Sequence, residues 1–262
     1  MTQRLNPNSA RYWFDHINSA RIPVPKTKFI RMAKGPLWKM MDGSEADEPS
    51  LRNMVDRILE LQNRWNGAPL FIRSDLASAK HDGPAAYQIP RNATKETVVR
   101  AIMNTFEDNL MKDQDPEWFM IREWLDLVHS FRAFAGHPIA QEWRYFATPD
   151  KVVCKHFYWP EEAISFWDRK RSPEPADWRK LLSNLASQPP PDILSDYAMT
   201  AAKVCNASPM WSVDFAHDIH GDWYLIDMAV AAESFHGWDG CPIPNNHKPQ
   251  PPVVQSPSVE VK

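Results

Sequence analysis

Residues 213–228, VDFAHDIHGDWYLIDM, set two apolar runs on either side of His220-Gly221. Runs of this kind around a glycine read as strand, turn, strand. Counting outward from His220 and Gly221 pairs Asp214 directly with Asp227. Like charges facing each other across a strand pair are destabilising. Each aspartate also sits among apolar neighbours, Val213 and Phe215 for one, Ile226 and Met228 for the other. Two carboxylates held together in such a sheet need a proton or a cation between them, and oxygen ligands of this type suit Mg²⁺. The competing reading is that one aspartate faces solvent while the other caps a turn. An odd-length loop would slip the register by one residue and break the pair. Glu233, six residues after Asp227, is a further candidate ligand.

Outward from this hairpin, the chain reads as α+β. Glu142-Trp-Arg-Tyr-Phe-Ala147 and residues 151–158 flank the turn signal Thr148-Pro-Asp150 and predict a second hairpin. Helices are expected over 50–65, with Leu51, Met54, Val55, Ile58 and Leu59 at helical spacing, and over 95–111, with Val98, Ile102 and Phe106 inward. Two more are expected over 176–185 and 193–204, on either side of the triple proline 189–191. Phe29-Ile30 and the run from Trp118 read as strands. From Pro242 the chain is proline-rich and polar, as expected of a mobile tail.

Bulk properties narrow the function classes. At 262 residues there is room for one large domain or two small ones sharing a cleft. A net charge of −3 gives no general pull toward nucleic acid or anionic membrane. Cys154, Cys205 and Cys241 form no CxxC pair, the N-terminus lacks the apolar core of a signal peptide, and no stretch approaches the roughly 20 apolar residues of a membrane span. The expectation is a cytoplasmic chain with reduced thiols. His217, His220, His236 and Cys241 match no zinc-finger spacing, so zinc is not expected there.

The 8 glycines form no GxxxxGK[ST], GxGxxG or GxSxG motif, so any bound phosphate must rely on side-chain cations. The stretch PLFIRSDLASAKHDG, residues 69–83, supplies two. Arg73 ends an apolar strand and Lys80 lies in the following polar run. An arginine fork and a lysine point charge both suit phosphate. Arg144, in the hairpin strand, shares a face with Glu142 and Phe146 on alternation. Singly, each cation reads as a solvated surface residue. With the aspartate hairpin, they describe a nucleoside triphosphate site.

These segments, FIRSDLASAKHDG, REWLDL, EWRYFA with KVVCKHFYW, and VDFAHDIHGDWYLIDM, resemble in order and spacing the ATP-grasp superfamily over roughly residues 65–235. The resemblance is to the clade named for two arginines and one lysine, common in phages and bacteria. It extends to the eukaryotic cell-division-cycle proteins that assist assembly of a translation initiation factor. It implies two α+β subdomains with mainly antiparallel sheets enclosing a nucleotide cleft. The implied division is an N-terminal segment (1–65), a small subdomain with hinge (66–130), a C-terminal subdomain with the metal site (131–241) and the tail (242–262). By the same resemblance Arg73 and Lys80 contact phosphates, and Glu123, Trp124 and Leu125 form the hinge that holds adenine. Arg144 reaches the transferred phosphate or the acceptor, and Asp214 and Asp227 hold Mg²⁺. The implied chemistry joins a carboxylate to an amine or other nucleophile through an acyl phosphate, with ATP and Mg²⁺ and an acceptor the sequence does not name. Two departures stand out: Ala229 replaces the usual asparagine, and only Gly83 lies near the phosphate loop. The competing functions are a nucleotide-binding assembly factor with a protein partner, or an enzyme acting on nucleic acid.

Overall fold

The computed structural model describes residues 6–43, 49–78, 83–167 and 175–236. Lys80, Cys241 and the proline-rich tail lie outside the described residues.

Two four-stranded antiparallel sheets frame the molecule. The first has the order β1-β4-β2-β3, built from Thr27–Arg31 (β1), Leu70–Ser74 (β2), Gln88–Ile89 (β3) and Trp118–Glu123 (β4). Alternation along these strands sorts their side chains. Ile30, Leu70, Ile72, Phe119 and Ile121 face one way and are buried against two helices, Pro49–Arg64 (α3) and Lys95–Met111 (α5). Helix α5 starts where Thr94 Oγ1 accepts from the Thr97 amide at 3.3 Å, and it buries Val98, Ile102 and Phe106 as its spacing predicts. Each such side chain contributes on the order of 1.5–3 kcal/mol of burial. In α3, Leu51, Met54, Val55 and Ile58 are buried as expected, while Leu59 is only half-buried.

The second sheet has the order β10-β9-β7-β8, from Glu142–Ala147 (β7), Val152–Phe157 (β8), Trp211–His217 (β9) and Trp223–Val230 (β10). Tyr145, Val213, Phe215 and Met228 back onto Ala10–Ser19 (α1) and Ile193–Val204 (α8). The N-terminal segment is therefore divided between the two sheets, with β1 adding to the first and α1 covering the second. Helix α1 is one that periodicity did not reveal. It buries Trp13, Phe14 and Ile17, and Ser9 caps it by accepting from the Arg11 amide.

A third apolar cluster joins the hairpin of His129–Ala133 (β5) and His137–Ala140 (β6) to Trp178–Ala186 (α7), through Phe131, Ile139, Trp178 and Leu182. That hairpin also escaped the sequence. Its turn places Phe134 and Ala135 at φ values of 46° and 57°, where residues with a Cβ are uncommon and turn signals give no warning. Gly83 packs on this turn at φ 82°, and a Cβ there would lie 2.8 Å from the Ala135 carbonyl oxygen. Among the described residues no helix is long and apolar enough to cross a membrane.

Candidate functional site: a charged cleft between the sheets

The aspartate hairpin forms, but by a different route from a two-residue turn. Residues 218–222 make a five-residue connection, closed by Asp218, whose Oδ1 accepts from the amides of His220 and Asp222. Trp223 therefore pairs with His217, and Leu225 with Phe215. Continued unchanged, that register would leave Asp227 off Asp214. A bulge corrects it: Ile226 is the extra residue, and Asp227 then pairs with Asp214. The odd-length loop and the facing aspartates coexist because one residue of β10 drops out of the ladder.

Cross-strand pairing aligns Glu142, Arg144, Asp214, Asp227 and His156 on one face of the second sheet. The face of the first sheet away from its helices carries Phe71, Arg73, Met120 and Arg122, because Phe71 pairs with Arg122 and Arg73 with Met120. The two faces meet. Met120 enters the core of the second sheet, and Arg122 Nη1 donates to the Ile226 carbonyl, so the bulge is also a point of contact between the sheets.

Each aspartate has an arginine. Arg144 grips Asp214 with two hydrogen bonds of 2.7 Å, from Nε to Oδ1 and from Nη2 to Oδ2. Its Nη1 donates to the Phe235 carbonyl at 3.0 Å, and its guanidinium lies 4.7 Å from the Tyr158 ring centre. Burial alone would lower the Arg144 pKa, but Asp214 outweighs it and raises the pKa above the usual arginine value. Asp227 takes a 2.8 Å ion pair from Arg73 Nη1, across the sheets, while its Oδ1 accepts from the Met228 amide. The cation between the carboxylates is thus supplied by two guanidinium groups.

Arg122, within the REWLDL segment, is a further residue of the site that the sequence pattern alone does not single out. Its position at the end of an apolar strand resembles that of Arg73 and was the available signal. It is 4% exposed, and among the described residues its Nε and Nη2 have no hydrogen-bond partner. Burial, and then the neighbouring charge of Arg73, push its pKa down to about 9 against the opposing pull of Asp227.

A cleft opens over these groups. Its lining combines the apolar and aromatic Phe71, Tyr87, Trp124 and Leu125 with the charged Arg73, Arg122, Glu142 and Asp227. Trp124 stacks nearly parallel to Tyr87 with ring centres 6.3 Å apart. Glu123 is turned to Lys26, whose amide and Nζ reach its carboxylate at 2.8 and 3.1 Å. The cleft therefore gathers Arg73, Glu123, Trp124, Leu125 and Asp227. Arg144 and Asp214 lie beside Asp227 on the same sheet face. Glu233 stands apart: its Oε2 accepts from Asn8 Nδ2 at 2.8 Å. Among the described residues the three carboxylates do not converge into one metal-ligand cluster.

The donor set discriminates between the aspartates as Mg²⁺ ligands. Both oxygens of Asp214 are taken by Arg144 and its side chain is 3% exposed, whereas that of Asp227 is 29% exposed and opens on the cleft. Mg²⁺ typically needs one or two carboxylates together with substrate phosphates. Asp227 fits that need and Asp214 does not.

No family profile matches the chain, and no curated protein matches it in sequence. Among solved structures it is similar to the ATP-grasp ligase PsnB complexed with minimal precursor, at 11% identity and a TM-score of 0.47, over 88% of this chain and 55% of that one. It is also similar to D-alanyl-alanine synthetase A from Vibrio cholerae, at 13% identity and a TM-score of 0.45, over 84% of this chain and 53% of the other. A third is the biotin carboxylase domain of the 2-oxoglutarate carboxylase from Hydrogenobacter thermophilus, in complex with MgADP, ADP and bicarbonate. There the identity is 11% and the TM-score 0.47, over 85% of this chain and 39% of that one. The chain spans about half the length of these structures or less.

Proposed function

We propose that the cleft binds ATP and that the chain works as an ATP-grasp ligase, with the two sheets as the halves of the clamp. Arg122 carries the reading. A buried guanidinium with unfilled donors, beside a second arginine, is costly unless an anion completes it. A ligand with a flat apolar ring and an anionic group matches this mixture of aromatic and cationic lining. In this reading adenine lies by Trp124, Leu125 and Tyr87, and the phosphates meet Arg73 and Arg122, with Lys80 a further phosphate contact. Asp227 holds Mg²⁺, which when bound neutralises charge on the phosphates. Asp214 engages Arg144 through both carboxylate oxygens, so in this reading Arg144 positions its strand beside Asp227 and the phosphates fall to Arg73 and Arg122.

The reaction would transfer the terminal phosphoryl group of ATP to an acceptor carboxylate, releasing ADP. A nucleophile, such as an amine, would then attack the acyl carbon and expel phosphate. Such chemistry needs aligned reactants and stabilised charge, with no protein nucleophile. Calorimetric titration of ATP tests the reading: binding to the wild type, weakened at least tenfold in Arg122→Met, supports it, and no binding by the wild type sinks it.

A second reading, a nucleotide-binding assembly factor without turnover, draws on the closed Arg144–Asp214 pair and on Ala229. Acceptor-dependent ADP release separates the two, since only the ligase reading predicts it.

A further inference from the structure

The second sheet brings together a group that no nucleotide chemistry uses. Cys154 and His156 lie two residues apart on β8, so alternation puts both on the face that carries Arg144. His236, just past the turn Ala231–Glu233, folds back over them. One ligand atom from each of the three lies within 4.8 Å of the others. The Cys154 Sγ to His236 Nε2 distance is 3.7 Å. Zinc–sulfur and zinc–nitrogen bonds at tetrahedral angles place such atoms about 3.6 Å apart.

The surroundings hold the imidazoles in place. His156 Nδ1 lies 3.1 Å from the Phe157 carbonyl, which can only accept, so this nitrogen is the donor and Nε2 carries the lone pair. A ligating histidine is commonly oriented by such a bond through its other nitrogen. The edge-on Phe146 ring, 4.8 Å from that of His236, braces the second imidazole, and Arg144 fixes the preceding residue by its bond to the Phe235 carbonyl. Both histidines are buried, His156 at 8% and His236 at 2% exposure. A thiol and two imidazoles form a borderline-soft donor set, unlike the oxygen ligands that suit Mg²⁺.

We propose that Cys154, His156 and His236 form a site for a divalent cation of zinc's class, with one of its four positions left for water or another ligand. The site differs from the histidines of the last hairpin. His217 is occupied there by Gln141, which it meets at 2.7 Å, and by stacking on Trp223. Binding would clip residue 236 to β8 across 82 residues of chain and hold the Phe235 carbonyl that Arg144 uses. The inference does not depend on nucleotide binding.

The test is titration of chelator-treated full-length protein with Co²⁺, followed by displacement with Zn²⁺. One equivalent of Co²⁺ should give tetrahedral visible bands and a near-ultraviolet thiolate charge-transfer band, both abolished by Zn²⁺. Cys154→Ser should remove the charge-transfer band, and His236→Gln should weaken Co²⁺ binding by about a hundredfold or more, at least as much as loss of an outer-shell partner. Circular dichroism of each metal-free variant checks folding, and His156→Gln, which should weaken binding in the same way, serves where Cys154→Ser is unfolded. No saturable band in the wild type, or an undiminished charge-transfer band in folded Cys154→Ser, would overturn the proposal. So would wild-type affinity in folded His156→Gln and His236→Gln.

Discussion

The two arginine–aspartate pairs use the same chemistry in opposite ways. Arg144–Asp214 lies within one sheet, on adjacent strands, with two parallel bonds and side chains only 13% and 3% exposed. Arg73–Asp227 crosses from one sheet to the other, with Nη1 2.8 Å from a carboxylate oxygen and the aspartate open to the cleft. A closed bidentate pair strongly resists losing one partner, because the remaining charge is stranded in a dry site. A pair with one wet member can exchange partners with a ligand. The difference separates a fixture of the fold from a responsive element of the site.

The largest expected effect follows directly. Asp214→Asn should lower unfolding free energy by about 3–5 kcal/mol in urea titrations, and Asp227→Asn by well under half of that. Equal losses would erase the distinction between the pairs. Next comes Arg122→Met, which removes a buried charge while keeping volume. Stability should hold or rise, since apolar replacements of buried ions are often neutral or stabilising, while ATP affinity falls at least about tenfold. A fall in both would make Arg122 a structural residue of the contact at Ile226. Trp124→Ala should weaken ATP binding by about tenfold through lost stacking, with Mg²⁺ dependence unaltered. The smallest effect belongs to Ala229→Asn. Ala229 pairs with Ser212 on the face that carries both aspartates. An added oxygen donor beside Asp227 should strengthen Mg²⁺ dependence only a few-fold, measured as the Mg²⁺ midpoint for ATP binding.

The legible parts of the chain were those governed by local pattern. Helices 95–111 and 193–204 have the predicted bounds, since their apolar periodicity and end signals lie within the segments themselves. Both hairpins formed where turn residues separate apolar runs. What stayed hidden depends on distant chain. The bulge at Ile226 has no glycine to mark it, and its carbonyl is claimed by Arg122 from the other sheet. Arg122 gave no sign of burial because the groups that cover it are about a hundred residues away in sequence. The partners of Asp214 and Asp227 were anticipated as a cation, but its identity was set by sheet packing, which placed Arg144 opposite one and Arg73 against the other. Glu233 is close to Asp227 in sequence, but the chain turns at 231–233 and carries it to Asn8.

The most direct test is calorimetric titration of ATP, with and without Mg²⁺, into the wild type and Asp227→Asn. The account predicts binding by the wild type that is tightened by Mg²⁺, and binding by a folded Asp227→Asn that no longer responds to it. Absence of ATP binding in the wild type, or an unchanged Mg²⁺ response in the variant, would contradict it.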